Sequence, residues 1–154
     1  DEQLANFFFK QVAITFAFLV EKYSFSQPIL DINKSINFIT VTFMGKNLAV
    51  ECIFDEREGD VDCKIARILN GKKTNYYAVD ENGNIVREGL ATLLRRRGIK
   101  RHLFRRVTDI EIHERIKITL EDFVEMLKVY GQEILNDSPD IFKVESCPVP
   151  PSAR

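Results

Sequence analysis

The strongest chemical signal in the sequence is a run of positive charge, Arg95-Arg96-Arg97-Gly98-Ile99-Lys100-Arg101-His102-Leu103-Phe104-Arg105-Arg106. A planar guanidinium donates in pairs to phosphate or carboxylate, and lysine adds long-range attraction. Arg95, Arg96, Arg97, Lys100 and Arg101 could therefore hold a polyanion or an acidic protein surface. Only His102 and Phe104 are interleaved for base stacking, and the whole chain carries a net charge of −1, whereas dedicated nucleic-acid binders are usually basic overall. Three arginines closing a helix are also what the helix dipole favours at its C-terminus. The order of expectation is a solvated or salt-bridged face first, a protein contact second and nucleic acid third.

A second run has the opposite sign. Asp55, Glu56, Glu58, Asp60 and Asp62 place five carboxylates in eight residues. A calcium loop needs acidic ligands at alternate positions, then Gly and a distal Glu, and this spacing does not supply them. A solvated hairpin tip is the plain reading, and a contact with a basic partner the functional one.

Catalytic signatures are absent. His102 and His113 are the only histidines, and position 117, where a zinc-protease helix would carry its second His, is Lys. There is no nucleophile elbow, phosphate-binding loop or dinucleotide fingerprint. Cys52, Cys63 and Cys147 are odd in number and lack C-x-x-C spacing, which points to buried, reduced thiols rather than a disulfide framework or zinc site. No catalytic residue, metal or cofactor is expected, and the chain is expected not to be an enzyme.

The elements that must carry these charges follow from composition and period. With 154 residues, 45% apolar, and only 7 Gly, 5 Pro and 3 Cys, the chain is neither collagenous nor a disulfide-built mini-protein. Its length suits a single domain, taken as residues 1–145, followed by a Pro-rich extended tail over 146–154. Charge divides unevenly: residues 1–71 hold 7 basic and 10 acidic side chains, residues 72–106 hold 10 and 3, and residues 107–154 hold 5 and 10.

Leu4, Phe8, Val12, Thr15, Leu19 and Tyr23 recur at helical spacing and predict one helix over 2–23. Phe7, Phe9, Ile14, Phe16 and Phe18 widen its apolar surface, so it must pack against more than one element. The run Phe7–Val20 is 14 residues long and interrupted by Lys10 and Gln11, short of the about 20 apolar residues that span a bilayer. With no basic leader before it, no membrane or targeting segment is expected and the protein is placed in the cytoplasm.

Three segments alternate with a two-residue period: Ile36–Phe43, Leu48–Phe54 and Val61–Leu69. Folding at Gly45-Lys46 pairs Phe43 with Leu48, and folding at Arg57-Glu58 pairs Cys52 with Cys63. Both foldings place one apolar set on one sheet face, leaving Thr40, Thr42, Glu51, Asp62 and Lys64 on a wet one. Asn75–Val79 could add a fourth strand before a turn at Asp80–Asn84. A helix is expected over 85–97, and a last one over 120–135 capped by Thr119. Ile110, Ile112, Ile116 and Ile118 alternate like a strand but could equally line a loop. The fold class is α+β: an N-terminal helix, an antiparallel meander of three to four strands with one face covered by helices, and a C-terminal helix.

Two stretches carry a family resemblance. Residues 16–25 contain "FLVEKYSF", and residues 127–137, Leu-Lys-Val-Tyr-Gly-Gln-Glu-Ile-Leu-Asn-Asp, follow an "LKxYGExILxGD" pattern, with Ile141-Phe142 after it. With a meander between them, the chain resembles small bacterial proteins that include immunity proteins of contact-dependent and polymorphic toxin systems. Asn136 stands where that pattern has Gly, a change the left-handed conformation tolerates. The matched positions are core and turn residues, and no catalytic residue carries over, because such proteins act by binding. The resemblance implies a protein that occludes a partner, a toxin or another protein, through the acidic tip or the basic run. The alternative is a nucleic-acid-binding or regulatory module using residues 95–106.

Overall fold

The computed structural model describes residues 1–75, 79–99 and 108–143. Lys100, Arg101, His102, Phe104, Cys147 and the tail over 146–154 lie outside the described residues, as does the middle of the segment expected to form a strand at Asn75–Val79.

The N-terminal apolar stretch is two helices rather than one. Helix α1 (Glu2–Thr15) starts where the Asp1 carboxylate accepts Gln3 N–H at 2.9 Å, and α2 (Ala17–Tyr23) follows after a break at Phe16. At the break the Thr15 hydroxyl donates to Gln11 C=O, and the Phe16 N–H still bonds Val12 C=O at 2.9 Å. The turn lets Phe16 bury completely against Phe43, ring centroids 6.0 Å apart. By length and composition residues 2–23 would suffice to cross a bilayer, but Phe8, Val12, Phe16 and Leu19 are fully buried in the core.

The sheet is an antiparallel meander, β1 (Ile29–Asn33), β2 (Phe38–Met44), β3 (Leu48–Asp55) and β4 (Asp60–Leu69). It is extended along the far side of β4 by two short strands, β5 (Lys72–Lys73) and β6 (Arg87–Gly89). β1 was not expected, because its polar residues Asp31 and Asn33 read as a turn. β6 occupies the start of the segment expected to be helical, so α3 runs only from Leu90 to Arg96. The turn at Asp80–Asn84 is present, held by Asp80.

The second hairpin has the expected register, with Cys52 opposite Cys63 and Phe54 opposite Val61. The first is displaced by two residues: Phe43 faces Val50 and Val41 faces Cys52. A two-residue shift keeps every side chain on its face, so the apolar set is unchanged. The wider loop is built around Asp137. Its carboxylate accepts N–H bonds from Lys46 at 2.6 Å, Asn47 at 3.1 Å and Leu48 at 2.8 Å, and Gly45 leaves room for it, since a Cβ there would lie 2.6 Å from Asp137 Oδ1.

Helix α4 (Ile112–Tyr130) replaces both the unassigned segment and most of the expected last helix. Its cap is the Glu111 carboxylate, which accepts Glu114 N–H; Thr119 sits inside the helix and bonds back to Arg115 C=O. Ile116, Leu120, Phe123 and Leu127 form the buried stripe, at steps of four, three and four. The chain turns at Gly131, where a Cβ would stand 2.8 Å from Leu127 C=O, and continues as α5 (Gln132–Leu135) and a 3₁₀ turn at Pro139–Phe142.

Helices α1, α2 and α4 cover one sheet face. Phe7 meets His113 edge-on at 4.5 Å between centroids, and Lys128 Nζ lies 4.6 Å over the Phe18 ring, so α4 runs alongside α1 and α2 in the same direction. One continuous apolar cluster draws on residues from Ala5 to Phe142.

Candidate functional site

Among the described residues no helix lies on the other sheet face, and its composition follows from the register. One cross-strand row reads Ile29, Thr42, Glu51, Lys64, Gly89. The next, toward the β3–β4 turn, reads Asp31, Thr40, Ile53, Asp62, and the last reads Asn33, Phe38, Asp55, Asp60. The sheet curls about this face, so residues of β1 and residues near β5 and β6 line one trough of about 440 Å³.

This face was expected to be mostly wet. Its centre is not: Thr42, Glu51, Ile53, Ala49 and Ala66 are all buried. Curling brings the β5 and β6 side chains over it. Arg87 donates to one Glu51 oxygen through Nη2 at 2.6 Å and Nε at 3.0 Å, while the Lys73 ammonium lies 2.5 Å from the other oxygen. Glu51 is fully buried and the Arg87 side chain only 9% exposed, against 27% for Lys73. A carboxylate in that position survives only because two cations and a directed fork replace its water. Lys64 stands directly across from it on β4.

The acidic tip divides. Asp55, Asp60 and Asp62 occupy the open face and join Asp31 of β1 there, whereas Glu56 and Glu58 lie in the turn itself. Asp55 also holds the turn, accepting N–H bonds from Arg57 at 2.9 Å and Glu58 at 3.3 Å, and Gly59 takes a positive φ of 70°. Glu56 lies 3.1 Å from the Asp1 amino nitrogen. Packing around Asp62 pushes its carboxyl above the ordinary range, opposed by the Cys63 N–H bond and by Lys64 and Arg87.

The described arginines of the basic run are engaged within the chain. Arg95 reaches the Thr92 hydroxyl at 3.3 Å, Arg96 pairs with Glu88 at 3.2 Å, and Arg97 pairs with Glu133 at 2.9 Å and bonds Asp140 C=O. The Arg97 contacts lie just past the C-terminal end of α4. The acidic turn lies near its start, where Arg115 Nη1 is 3.5 Å from Gly59 C=O. Nineteen helical residues span about 28 Å, so the two patches are separate surfaces.

Cys52 and Cys63 are cross-strand neighbours on the covered face, and both are buried. The contact with Cys52, then burial, pushes the Cys63 thiol well above its ordinary range, which keeps it protonated and unreactive. Among the described residues no group of three or more His, Cys, Asp or Glu is placed to hold a metal ion.

Sequence reasoning missed Glu51, Lys73 and Arg87 as a unit. The available signal was Ala49, Ile53 and Ala66 at positions alternating with the apolar face, which are poor residues for a surface in water. Comparison of the chain with protein-family models, with curated proteins and with solved structures finds no match in any of the three.

Proposed function

We propose that this protein acts by binding, in the manner of an immunity protein, and that it offers the acidic end of its uncovered sheet face to a basic surface on a partner protein. The observation that carries this reading is the grouping of Asp31, Asp55, Asp60 and Asp62 on one sheet face that no helix of the described residues covers, beside the exposed Glu58. Opposite charge across an interface chiefly steers encounter and selects the partner. The pairing of Arg96 and Arg97 with Glu88 and Glu133 lends less support to a nucleic-acid module.

The test is recovery of a stoichiometric protein from nuclease-treated native lysate, followed by association kinetics on the purified pair. Replacing Glu58, Asp60 and Asp62 by Lys should lower the association rate at least tenfold and remove most of its salt dependence, with the circular dichroism spectrum unchanged. A partner that associates equally fast with the reversed face refutes the reading. Recovery that vanishes with nuclease transfers the function to residues 95–106.

A further inference from the structure

We propose that β1 is a dimerisation edge, at which a second copy of the chain adds its own β1 antiparallel to the first, centred on Ile32. The proposal goes beyond the protein-binding reading, because it needs no partner other than the chain itself.

The first observation is that the two edges of the sheet are built differently. Along the far side of β4 the sheet ends in the three-residue β6 and the two-residue β5, and both residues of β5 are lysines. Very short strands and lysines are devices that keep an edge from pairing with another chain. β1 is five residues long and contains neither lysine nor proline. Among the described residues no strand pairs with its outer side. Ile29 on the open face is 56% exposed, and Ile32 on the helix-covered face is 43% exposed.

The second is which backbone groups point outward. Glu56 N–H donates to Asn37 C=O at 3.0 Å, and Gly45 N–H to Leu48 C=O at 2.7 Å, at the two ends of the β2–β3 pairing. The odd-numbered residues of β2 therefore turn their backbone groups toward β3, and the even-numbered ones toward β1. Through the β1–β2 register, Ile29, Asp31 and Asn33 bond to Thr42, Thr40 and Phe38. Leu30 and Ile32 direct their N–H and C=O groups to the outer side, where an added strand would bond them.

The third is side-chain complementarity, which selects one pairing. A second β1 that bonds to Leu30 and Ile32 can be centred on residue 30, 31 or 32. Centring on Leu30 sets Ile32 against Pro28, which has no N–H to donate. Centring on Asp31 sets two carboxylates directly opposite each other. Centring on Ile32 joins the two exposed isoleucines and sets each Asp31 opposite Asn33 of the other copy, an amide that can donate to it. A net charge of −1 offers little general repulsion to a second copy. Residues that face one another across strands share a sheet face, so the dimer carries both acidic ends on the same side.

The five residues of β1 on each side fall well short of the about 20–30 of a standard interface, so the dimer is reversible, with a Kd on the order of 100 μM. The experiment is dilution of the ¹⁵N-labelled full chain from about 1 mM to about 10 μM, followed by amide shifts and sedimentation equilibrium. The wild type should pass from dimer to monomer, with saturable shifts concentrated at residues 29–34. Asn33→Asp keeps an acceptor for the Ser35 N–H and hydroxyl, now at 3.2 and 2.7 Å, but opposes a carboxylate to Asp31. It should raise Kd at least tenfold. Adding Asp31→Asn exchanges the two residues and should return Kd to within threefold of the wild type, a recovery that a disturbed turn would not show. Ile32→Lys, at a position already in contact with water, should abolish the dimer and leave the fold intact. A chain monomeric at about 1 mM overturns the proposal, as does a dimer whose shifts lie elsewhere or that is indifferent to Asn33→Asp. Leu30 and Ile32 amides that resist hydrogen exchange equally at every concentration also overturn it, because another segment of the same chain would then already pair there.

Discussion

Replacing Glu51 by Gln tests whether the centre of the uncovered face is held by charge. The change keeps the side-chain volume and removes one negative charge from between Arg87 and Lys73. The two cations are not stranded equally. Lys73, 27% exposed, can turn its ammonium to water, but Arg87, 9% exposed, cannot. Breaking one side of a buried pair costs about 3–5 kcal/mol, and Lys73's escape places the expected loss near the lower bound, about 3 kcal/mol. Against a total stability of about 5–15 kcal/mol, that is a large fraction. In urea unfolding it appears as a lower midpoint with an unchanged slope. The cycle with Arg87→Met isolates the pair. In that background Glu51→Gln should cost at least about 1.5 kcal/mol less, since no guanidinium remains to be stranded. A loss under about 1 kcal/mol for Glu51→Gln alone, or strict additivity with Arg87→Met, would refute the reasoning, because it would mean that water already solvates this carboxylate.

Other expectations follow from the same geometry. Asp137→Ala removes the acceptor for three loop N–H groups and should cost about 2–3 kcal/mol in urea unfolding, with Asp137→Asn costing less. Gly131→Ala drives a methyl group against Leu127 C=O and should lower stability by about 1–3 kcal/mol, read as a fall in Tm. Hydrogen bonds from Asn84 and Asn82 hold the Asp80 carboxyl below its ordinary value of 3.8, so its contribution is present above that pH and is lost as pH falls through the depressed value. Asp80→Asn should accordingly flatten the acid limb of a stability–pH profile. Asp62 has the opposite sign: its raised value gives stability at low pH that is lost as pH rises through it, so Asp62→Asn should gain on the wild type toward neutral pH. Thiol labelling of Cys52 and Cys63 in native protein should proceed only as fast as the core opens, and rapid labelling would contradict their burial.

Periodicity carried the layer architecture because burial enforces it. The two-residue alternation of β2, β3 and β4 and the facing of Cys52 and Cys63 were legible, since only one parity buries Val50, Cys52 and Phe54 together. The two-residue displacement of the first hairpin was not, because both registers bury the same side chains and the choice rests on Asp137, ninety residues away along the chain. The isoleucines at 112 and 116 belong to both a helical and an alternating pattern, and only the downstream Leu120, Phe123 and Leu127 decide between them. β1 escaped notice because its alternation, Leu30 and Ile32 against Asp31 and Asn33, is only two periods long and runs straight into the polar Lys34 and Ser35. The charged centre was hidden for a related reason. Sequence placed Glu51 and Lys64 on one face, but curvature, which decides whether that face is wet, depends on two-residue and three-residue strands supplied by segments up to 36 residues away.

The side-by-side course of α1 and α4 sets the order in which the chain can finish folding. Phe7 finds His113 only after 106 further residues exist, a delay of about 5–20 s at ordinary rates of synthesis. Phe8 can meet Phe54 on the sheet well before that. The nascent chain therefore passes through a stage in which α1 rests on the meander with the side that α4 later covers, Phe7 included, still bare. That interval is when a chaperone or a neighbouring nascent chain has access to it, and synthesis rate should influence how much of the protein reaches its final form.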